Sequence, residues 1–525
     1  MNASEAHFHC IAMARLFEHA HGVLPVGSAS GGWWFRRAKN ATRALRNTVA
    51  CSLSQRKLLI LIRFACVLSS ARQTAASLLL LALGACGGGS PAVPVGSGQA
   101  GATSPFAMDR TLMPNNGLFG KFKHVVIVVQ ENRTPDGLFN GLPGADTVTS
   151  GLNHLGQVVP LSAVSIAAHY DLEHTHRAFT KEYDGGKLDG FDLVGSGCKG
   201  NCPPPNLRAY GYVERDQVRP YFDMAEQYAF ADRMFQSNQG PSFPAHLYIV
   251  GGAAKPDPFA VLKVAENPKT DRGKSTAGCD SPKGTLVALI DETGNENNYT
   301  FPCVTERTIF GALEDKGLTW HYYQAHKGSG LWNAVDAIRE IRSGPHYKTN
   351  VSYPPSTFLK DVAKRNLADV SVVTPTAQNS DHAGITSTTG PSWVASVVNA
   401  VGTSSYWNDT AIIVTWDDWG GWYDHVAPKI YNSYELGFRV PLVIISPYTP
   451  RGYVSHQEHE FGSLLKFVEE NFGLQRLHTT DDRADNLSDS FNFKQAPRRF
   501  VKIAAPVDPA YFLHEPVSSL DPDDD

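Results

Sequence analysis

Residues 123–136 read KHVVIVVQENRTPD, and the rest of the chain is organised around this stretch. From His124 to Val129 the side chains are β-branched and nearly all apolar, as in a strand covered on both faces of a parallel sheet. The run passes directly into Glu131, Asn132, Arg133, Thr134 and Asp136. Ligand sites in open α/β sheets gather at the carboxyl ends of strands. Glu131 and Asn132 therefore arrive where a hard, oxygen-liganded cation or a polar substrate would sit. The same residue types also open helices and turns after core strands, and this stretch alone leaves both readings open.

A second stretch repeats the arrangement. Residues 410–428 read TAIIVTWDDWGGWYDHVAP, so a strand over 411–415 runs straight into Asp417 and Asp418. Adjacent carboxylates repel one another and destabilise a dry cleft unless a cation or hydrogen-bond donors offset them. Two strand ends carrying Glu131, Asn132, Asp417 and Asp418 supply the oxygen ligands for one divalent metal ion. Ca²⁺, Mg²⁺, Mn²⁺ or Fe suit such ligands, and zinc, which favours nitrogen and sulfur, suits them less. A surface loop with two solvated aspartates is the alternative.

Around these stretches strand and helix alternate. The patterning predicts helices over 308–316, 356–366, 393–401 and 461–472, and strands over 319–323, 370–374, 410–416 and 440–446. Residues 219–233 carry apolar side chains at helical spacing. The expected fold class is α/β: a mostly parallel central sheet with helices on both faces and long loop insertions. One insertion, 137–216, holds His154, His169, His174 and His176, and is long enough to shape a site. Residues 254–305 form another polar excursion.

Ser242, in Pro241-Ser242-Phe243-Pro244 ahead of AHLYIVGG, falls at the amino end of a short helix. Free backbone N–H groups there favour an anion. A serine in that place is either an attacking group or an N-cap. His174, His321 and His382 each lie near an element end, where imidazoles stabilise developing charge or protonate a leaving oxygen; each taken alone also reads as a hydrogen-bonded core or loop histidine.

The first 85 residues differ from the rest, with ten Lys or Arg against two Asp or Glu. They end in an apolar segment too short to span a bilayer, followed by the lipoprotein-like Leu83-Gly84-Ala85-Cys86. We read 1–85 as an over-extended start plus a signal peptide. Cys86 is then the lipidated first residue, anchoring an exported protein to a cell-envelope membrane. An uncleaved anchor helix from about Leu58 is the alternative, although Arg63 and Arg72 interrupt it. Residues 86–121 read as a flexible tether, 122–500 as the catalytic domain and 501–525 as a tail ending in solvated DPDDD. Beyond residue 85 there are 37 basic and 49 acidic side chains, a balance that disfavours nucleic acid as a partner. Cys198, Cys202, Cys279 and Cys303 read as two disulfides, 198–202 and 279–303, in preference to a zinc site.

ENRTPD, HYDLEH, KLDGF, GPSFPAHLY, PPSTF…VSVVTP…DHAG, TWDDWGGWYDHV and RVPLVIISPY with SH…EFGSLLKFVE occur in this order. Over residues 122–473 the chain thereby resembles the bacterial phosphoesterase family of AcpA-type acid phosphatases and phosphatidylcholine-preferring phospholipases C. The resemblance implies an alkaline-phosphatase-like core and hydrolysis of a phosphate ester by a metal-bound hydroxyl. Carried over by motif, Glu131, Asn132, Asp417 and Asp418 ligate the metal. Ser242 is the nucleophile and fifth ligand, and His174 and His382 contact phosphate, with His321 placed by approximate spacing. The phospholipase branch commonly has Thr where this chain has Ser242, and usually continues into further carboxyl-terminal modules. Both differences lean toward an acid phosphatase. Thr134 and Pro135 depart from the usual ENRSFD, which concerns loop packing more than ligation.

Overall fold

The computed structural model describes residues 117–517. The leader over 1–85, the lipid on Cys86, the tether up to residue 116 and the DPDDD end lie outside the described residues.

Nine strands form the main sheet: β1 His124–Gln130, β2 Ala229–Phe235, β3 Trp320–Tyr323, β4 Val351–Ser352, β5 Val370–Val373, β6 Thr410–Trp416, β7 Arg439–Ile445, β8 Tyr453–Ser455 and β9 His459–Glu460. Their order is β4-β3-β5-β1-β6-β7-β2-β8, with β9 also pairing β2. Every pairing is parallel except those of β7 with β6 and with β2. Every residue of β6 and β7 is buried, as is β1 beyond His124, so both faces of the sheet are covered. Each Val or Ile withdrawn from water in this way contributes about 1.5–3 kcal/mol. The covering helices fall into two groups. Helix α2 Arg219–Gln227 packs on α4 Gly390–Gly402, and α3 Ser242–Gly251 packs on α5 Phe461–Phe472, with α1 His176–Tyr183 in the first insertion.

Register is what makes the site. In the β1–β6 ladder Val128 lies opposite Val414 and Gln130 opposite Trp416, so both strands end level. Glu131-Asn132 and Asp417-Asp418 therefore leave the sheet side by side. The ladder continues past the strands, with Asp417 N donating to Gln130 O at 3.0 Å and Arg133 N to Asp418 O at 3.0 Å. Strand β2 delivers its carboxyl end to the same edge, since Phe235 pairs with Arg439, the first residue of antiparallel β7.

Helical spacing over 219–233 holds only for α2. Tyr228 leaves helical dihedrals (φ −128°, ψ −143°), and residues 229–235 become the interior strand β2. Its pairing partners β7, β8 and β9 all lie far downstream. Local periodicity does not register such partners.

The folded body also reaches beyond the expected 122–500. Leu118 is buried, and Gly120 N donates to Asn471 O at 2.8 Å. At the other end, Phe512 packs edge-on against Trp393 of α4 with ring centroids 5.4 Å apart. Asn399 exchanges two hydrogen bonds with the Ile503 backbone, at 2.8 and 2.9 Å. The described part of the expected tail thus covers an apolar face of α4 that would otherwise meet water.

The 137–216 insertion builds a small core of its own, in which Phe179, Phe191 and Tyr210 pack with Trp419, Trp422 and Phe438. The 254–305 excursion carries a three-stranded sheet, Lys263–Val264, Val287–Ile290 and Asn298–Thr300. Both expected disulfides are formed, Cys198–Cys202 and Cys279–Cys303.

Candidate active site

The structure brings Glu131, Asn132, Ser242, Asp417 and Asp418 into one cluster, each with no measurable exposure. Ser242 Oγ lies 3.2 Å from Asp418 Oδ2 and 3.4 Å from Glu131 Oε2. Asn132 N donates to Asp417 Oδ1 at 3.1 Å. Carboxylates from two strand ends, Glu131 and Asp418, thus face a buried hydroxyl from a helix start. Asn132 Oδ1 and Asp417 Oδ2 are buried without hydrogen-bond partners. Burying such oxygens unpaired is costly, and a divalent cation is what hard oxygen donors of this kind accept. The residues present can hold one.

Local backbone geometry sets the cluster. Asn132 adopts a left-handed conformation (φ 61°), which Asn tolerates better than most residues. The turn after Asp418 needs glycine twice. Gly420 has φ +62°, and a Cβ there would lie 2.7 Å from Asn132 Cβ. At Gly421, φ +70°, a Cβ would meet Leu172 Cβ at 2.6 Å. The TWDDWGG turn is therefore pressed against the Glu131–Asn132 arm and against the segment that carries His174. Thr134 accepts from Gly137 N at 3.0 Å and donates to Tyr423 O at 2.8 Å, while Pro135 opens a short helix. Thr134 and Pro135 thus serve loop packing, as the sequence suggested.

Ser242 begins α3, preceded by Pro241 in extended conformation. It does not act as the N-cap; Asn267 supplies a cap instead, its Oδ1 accepting from Phe243 N at 3.0 Å. The loop before Ser242 is tied to the carboxylate arm by Gln236, which accepts from Trp419 N at 3.1 Å and donates to Gly240 O at 3.0 Å.

Of the three expected histidines, two join the site. His174 Nδ1 donates to Leu172 O at 2.7 Å, so Nε2 is the accepting nitrogen and takes a hydrogen bond from Asn132 Nδ2 at 3.1 Å. That contact assigns the Asn132 amide, with Nδ2 toward His174. The His382 ring lies 5.9 Å from that of His174, and its Nδ1 donates to Ala383 O at 2.6 Å.

The His382 loop is pinned from β1. Gln130 donates to Asn379 O at 3.0 Å and accepts from Asp381 N at 3.1 Å. Asp381 in turn accepts from Tyr221 OH at 2.7 Å and Trp416 Nε1 at 3.1 Å. Burial pushes its carboxyl up to about 6 despite those donors.

His321 does not join them. It lies within β3, opposite Ser371 of β5, which pairs with Val126, so it is roughly 15 Å down the strands from the level of Glu131. Its Nε2 meets Ser352 Oγ at 2.8 Å, its ring stacks on Tyr323, and burial holds its pKa below the ordinary value. It is a half-buried strand histidine; approximate spacing did not show which end of the strand carried it.

Sequence reasoning missed His246. Its Nε2 lies 3.1 Å from Glu131 Oε1 and 3.7 Å from Asp417 Oδ2. The available signal was its position four residues after Ser242 on one helix, hence on the same face. Asp424 and His425 of the TWDD segment do something else. With Asp136 they surround the buried Arg439, whose guanidinium donates to Asp424 Oδ1 at 2.6 Å and to Asp136 Oδ2 at 3.1 Å. A side-chain cation already fills that group.

Beside Pro241, Thr175 and Asn267 opens a cavity of about 350 Å³ whose other walls include Glu266, Glu296, Lys269 and Tyr299. Burial, aided by Glu296, pushes the Glu266 carboxyl up to about 8. Another cavity of about 380 Å³, beside Trp320 at the amino end of β3, lies away from the cluster.

Residues 122–475 match the sequence model of the Phosphoesterase family. The chain is 24% identical over 467 residues to the non-hemolytic phospholipase C of Pseudomonas aeruginosa, a match covering 76% of this chain and 62% of that protein. It is 24% identical over 450 residues to phospholipase C B of Mycobacterium tuberculosis, covering 73% and 80%. Among solved structures, a protein in the alkaline phosphatase superfamily from Vibrio parahaemolyticus is similar at 12% identity and a TM-score of 0.31, over 70% of this chain and 71% of that one.

Proposed function

The chain belongs to the phosphoesterase family, and from that premise we propose that it hydrolyses phosphate esters through a phosphoserine at Ser242, with phosphomonoesters preferred, as in an acid phosphatase. The observation that carries this reading is a buried Ser242 Oγ at a helix start, 3.2 and 3.4 Å from carboxylates of two different strand ends.

Glu131, Asn132, Ser242, Asp417 and Asp418 would hold one divalent cation, which supplies Lewis acidity and makes the serine hydroxyl easier to deprotonate. The protein's own groups do the rest. Ser242 Oγ passes its proton to Asp418 Oδ2, to which it donates at 3.2 Å, and forms the bond to phosphorus as the ester P–O bond breaks. The N-terminal backbone of α3 faces the charge that builds on the phosphoryl oxygens. His382 delivers a proton to the departing alkoxide, and His174 fixes the orientation of the Asn132 amide through its Nδ2. Water then attacks the phosphoserine, giving a proton to His382, and the phosphorus–Oγ bond breaks as Ser242 Oγ takes back the proton held by Asp418, releasing inorganic phosphate and restoring the hydroxyl.

Export and anchoring through a lipid on Cys86 complete the proposal. The two disulfides support an oxidising compartment.

A second reading is cleavage of phosphodiester headgroups, favoured by the names of both relatives. Ser242 in place of the Thr expected of that branch supports the monoester. Turnover of p-nitrophenyl phosphate beside phosphatidylcholine separates the two. Ser242→Ala should lower turnover of the monoester at least 10³-fold in metal-replete protein, and acid quench of wild type should trap phosphate on Ser242. Near wild-type turnover by the variant rules the phosphoserine out.

A further inference from the structure

We propose that His246 is a nitrogen ligand of the active-site cation and makes the site select a borderline transition-metal ion, such as Fe²⁺, Co²⁺ or Zn²⁺, over Ca²⁺ and Mg²⁺. The inference rests on the metal-dependent reading above and adds to it a residue and a class of metal.

Position comes first. Ser242 and His246 are four residues apart on α3, so the two side chains rise from one face of the helix. The helix amino end that offers the hydroxyl therefore offers an imidazole one turn deeper. His246 is 1% exposed.

The distances come second. Nε2 is 3.1 Å from Glu131 Oε1, on the β1 arm, and 3.7 Å from Asp417 Oδ2, on the β6 arm. Donors that neighbour one another around a cation bound at about 2.1 Å stand roughly 3 Å apart. Ser242 Oγ keeps the same spacing to Glu131 and Asp418, 3.4 and 3.2 Å. One nitrogen facing oxygens from both strand ends is the arrangement of a shared ligand sphere. A simple hydrogen bond to Glu131 would leave Asp417 Oδ2, buried and with no hydrogen-bond partner, unexplained.

A comparison within the molecule sharpens the point. Asp136, Asp424 and His425 also gather carboxylates and an imidazole, but there Arg439 supplies the positive charge through several hydrogen bonds. At His246 the imidazole instead faces carboxylates from both strand ends, Glu131 and Asp417.

The chemical consequence follows from ligand type. Sets made only of oxygen suit Ca²⁺ and Mg²⁺, whereas an imidazole nitrogen adds affinity for Fe, Co and Zn. The oxygen set read from sequence weighed against zinc, and His246 reverses that weighting.

The test uses the full chain, freed of metal and reloaded with Mn²⁺ alone as a spin probe. Electron spin-echo modulation of the wild type should show a directly bound ¹⁴N. His246→Gln should lose that signal and bind the ion at least tenfold more weakly, while His174→Gln keeps the signal. A wild type without bound nitrogen, or a signal that survives in His246→Gln, overturns the proposal. Should His246→Gln fail to fold, competition on the wild type decides. A 100-fold excess of Ca²⁺ or Mg²⁺ should leave bound Zn²⁺ in place, and displacement overturns the proposal. These readouts are separate from turnover. Hydrolysis without bound nitrogen refutes the ligand and leaves the function standing, whereas bound nitrogen without hydrolysis does the reverse.

Discussion

Replacing Gly420 by alanine tests whether the TWDDWGG turn is a spacer or a gauge that sets the distance between the two ligand arms. Left-handed backbone costs an L-residue roughly 1–2 kcal/mol, offset by about 0.4–1 kcal/mol from the stiffer unfolded chain. Backbone strain alone therefore costs about 1 kcal/mol. At Gly420 the new Cβ would also stand 2.7 Å from Asn132 Cβ and 2.8 Å from Asn132 O, well inside ordinary contact. Both are held by the backbone, so the arms must separate, and overpacking of this kind adds about 1–3 kcal/mol. The expected total is about 2–4 kcal/mol. Displacing Asn132 by about 1 Å should also lower kcat/KM by roughly 10²-fold in protein that is still folded. Gly317→Ala is the control, because its φ is +72° and a Cβ there meets nothing within 4 Å. It should lose about 1 kcal/mol in urea unfolding and keep its kcat/KM. Equal losses of stability in the two variants, with Gly420→Ala within threefold of wild-type kcat/KM, would refute the reasoning.

Arg439→Leu should destabilise by about 3–5 kcal/mol, because Asp136 and Asp424 are left buried without their cation; a loss under 1 kcal/mol in urea unfolding would count against that account. Burial pushes the Glu306 carboxyl up to about 8 in the folded chain. An acid raised on folding adds stability that is complete below its unfolded pKa and is lost as pH rises through the folded one. Glu306→Gln should therefore gain on wild type between about pH 5 and 9, by roughly 1.4 kcal/mol per unit where the slope is steepest, and parallel stability–pH curves would contradict this. Removing Cys279–Cys303, which closes a separation of 24 residues, should cost about 3 kcal/mol by loop entropy, measured as a lower midpoint for the double serine variant. Chelation should abolish turnover and lower the unfolding midpoint, with both restored on adding metal back, since a ligand present at 1,000 times its Kd adds about 4 kcal/mol; activity that persists with no bound metal would sink the ligand assignment.

Much of this was legible because chemistry and geometry coincide at strand ends. The two apolar runs announced β1 and β6, and the polar residues that stop each run are the ones the structure brings together. The helix start at Ser242 was legible from its flanking prolines, but there the residue read equally as an N-cap, and its place beside the carboxylates came from the family resemblance. What escaped shares a cause, namely long-range partners. Strand β2 was masked by a helical pattern because only pairing with β7, β8 and β9 makes 229–235 a strand. His321 looked like a site residue until the register of β3 against β5 put it mid-strand. His246 was visible as four residues from Ser242, but nothing local says that this face of α3 looks toward Glu131 rather than into the core.

The level ending of β1 and β6 has a consequence in time. The two halves of the carboxylate cluster lie 285 residues apart in the chain and meet only through the β1–β6 ladder. Closing so long a loop is entropically unfavourable and slow, and a chain growing from its amino end has no Asp417 to offer until most of its length has emerged. Under the proposed function, ion capture is therefore a late event that reports completion of the sheet. A cation bound there staples the two central strands at their carboxyl ends, so its release should loosen the middle of the fold before its edges.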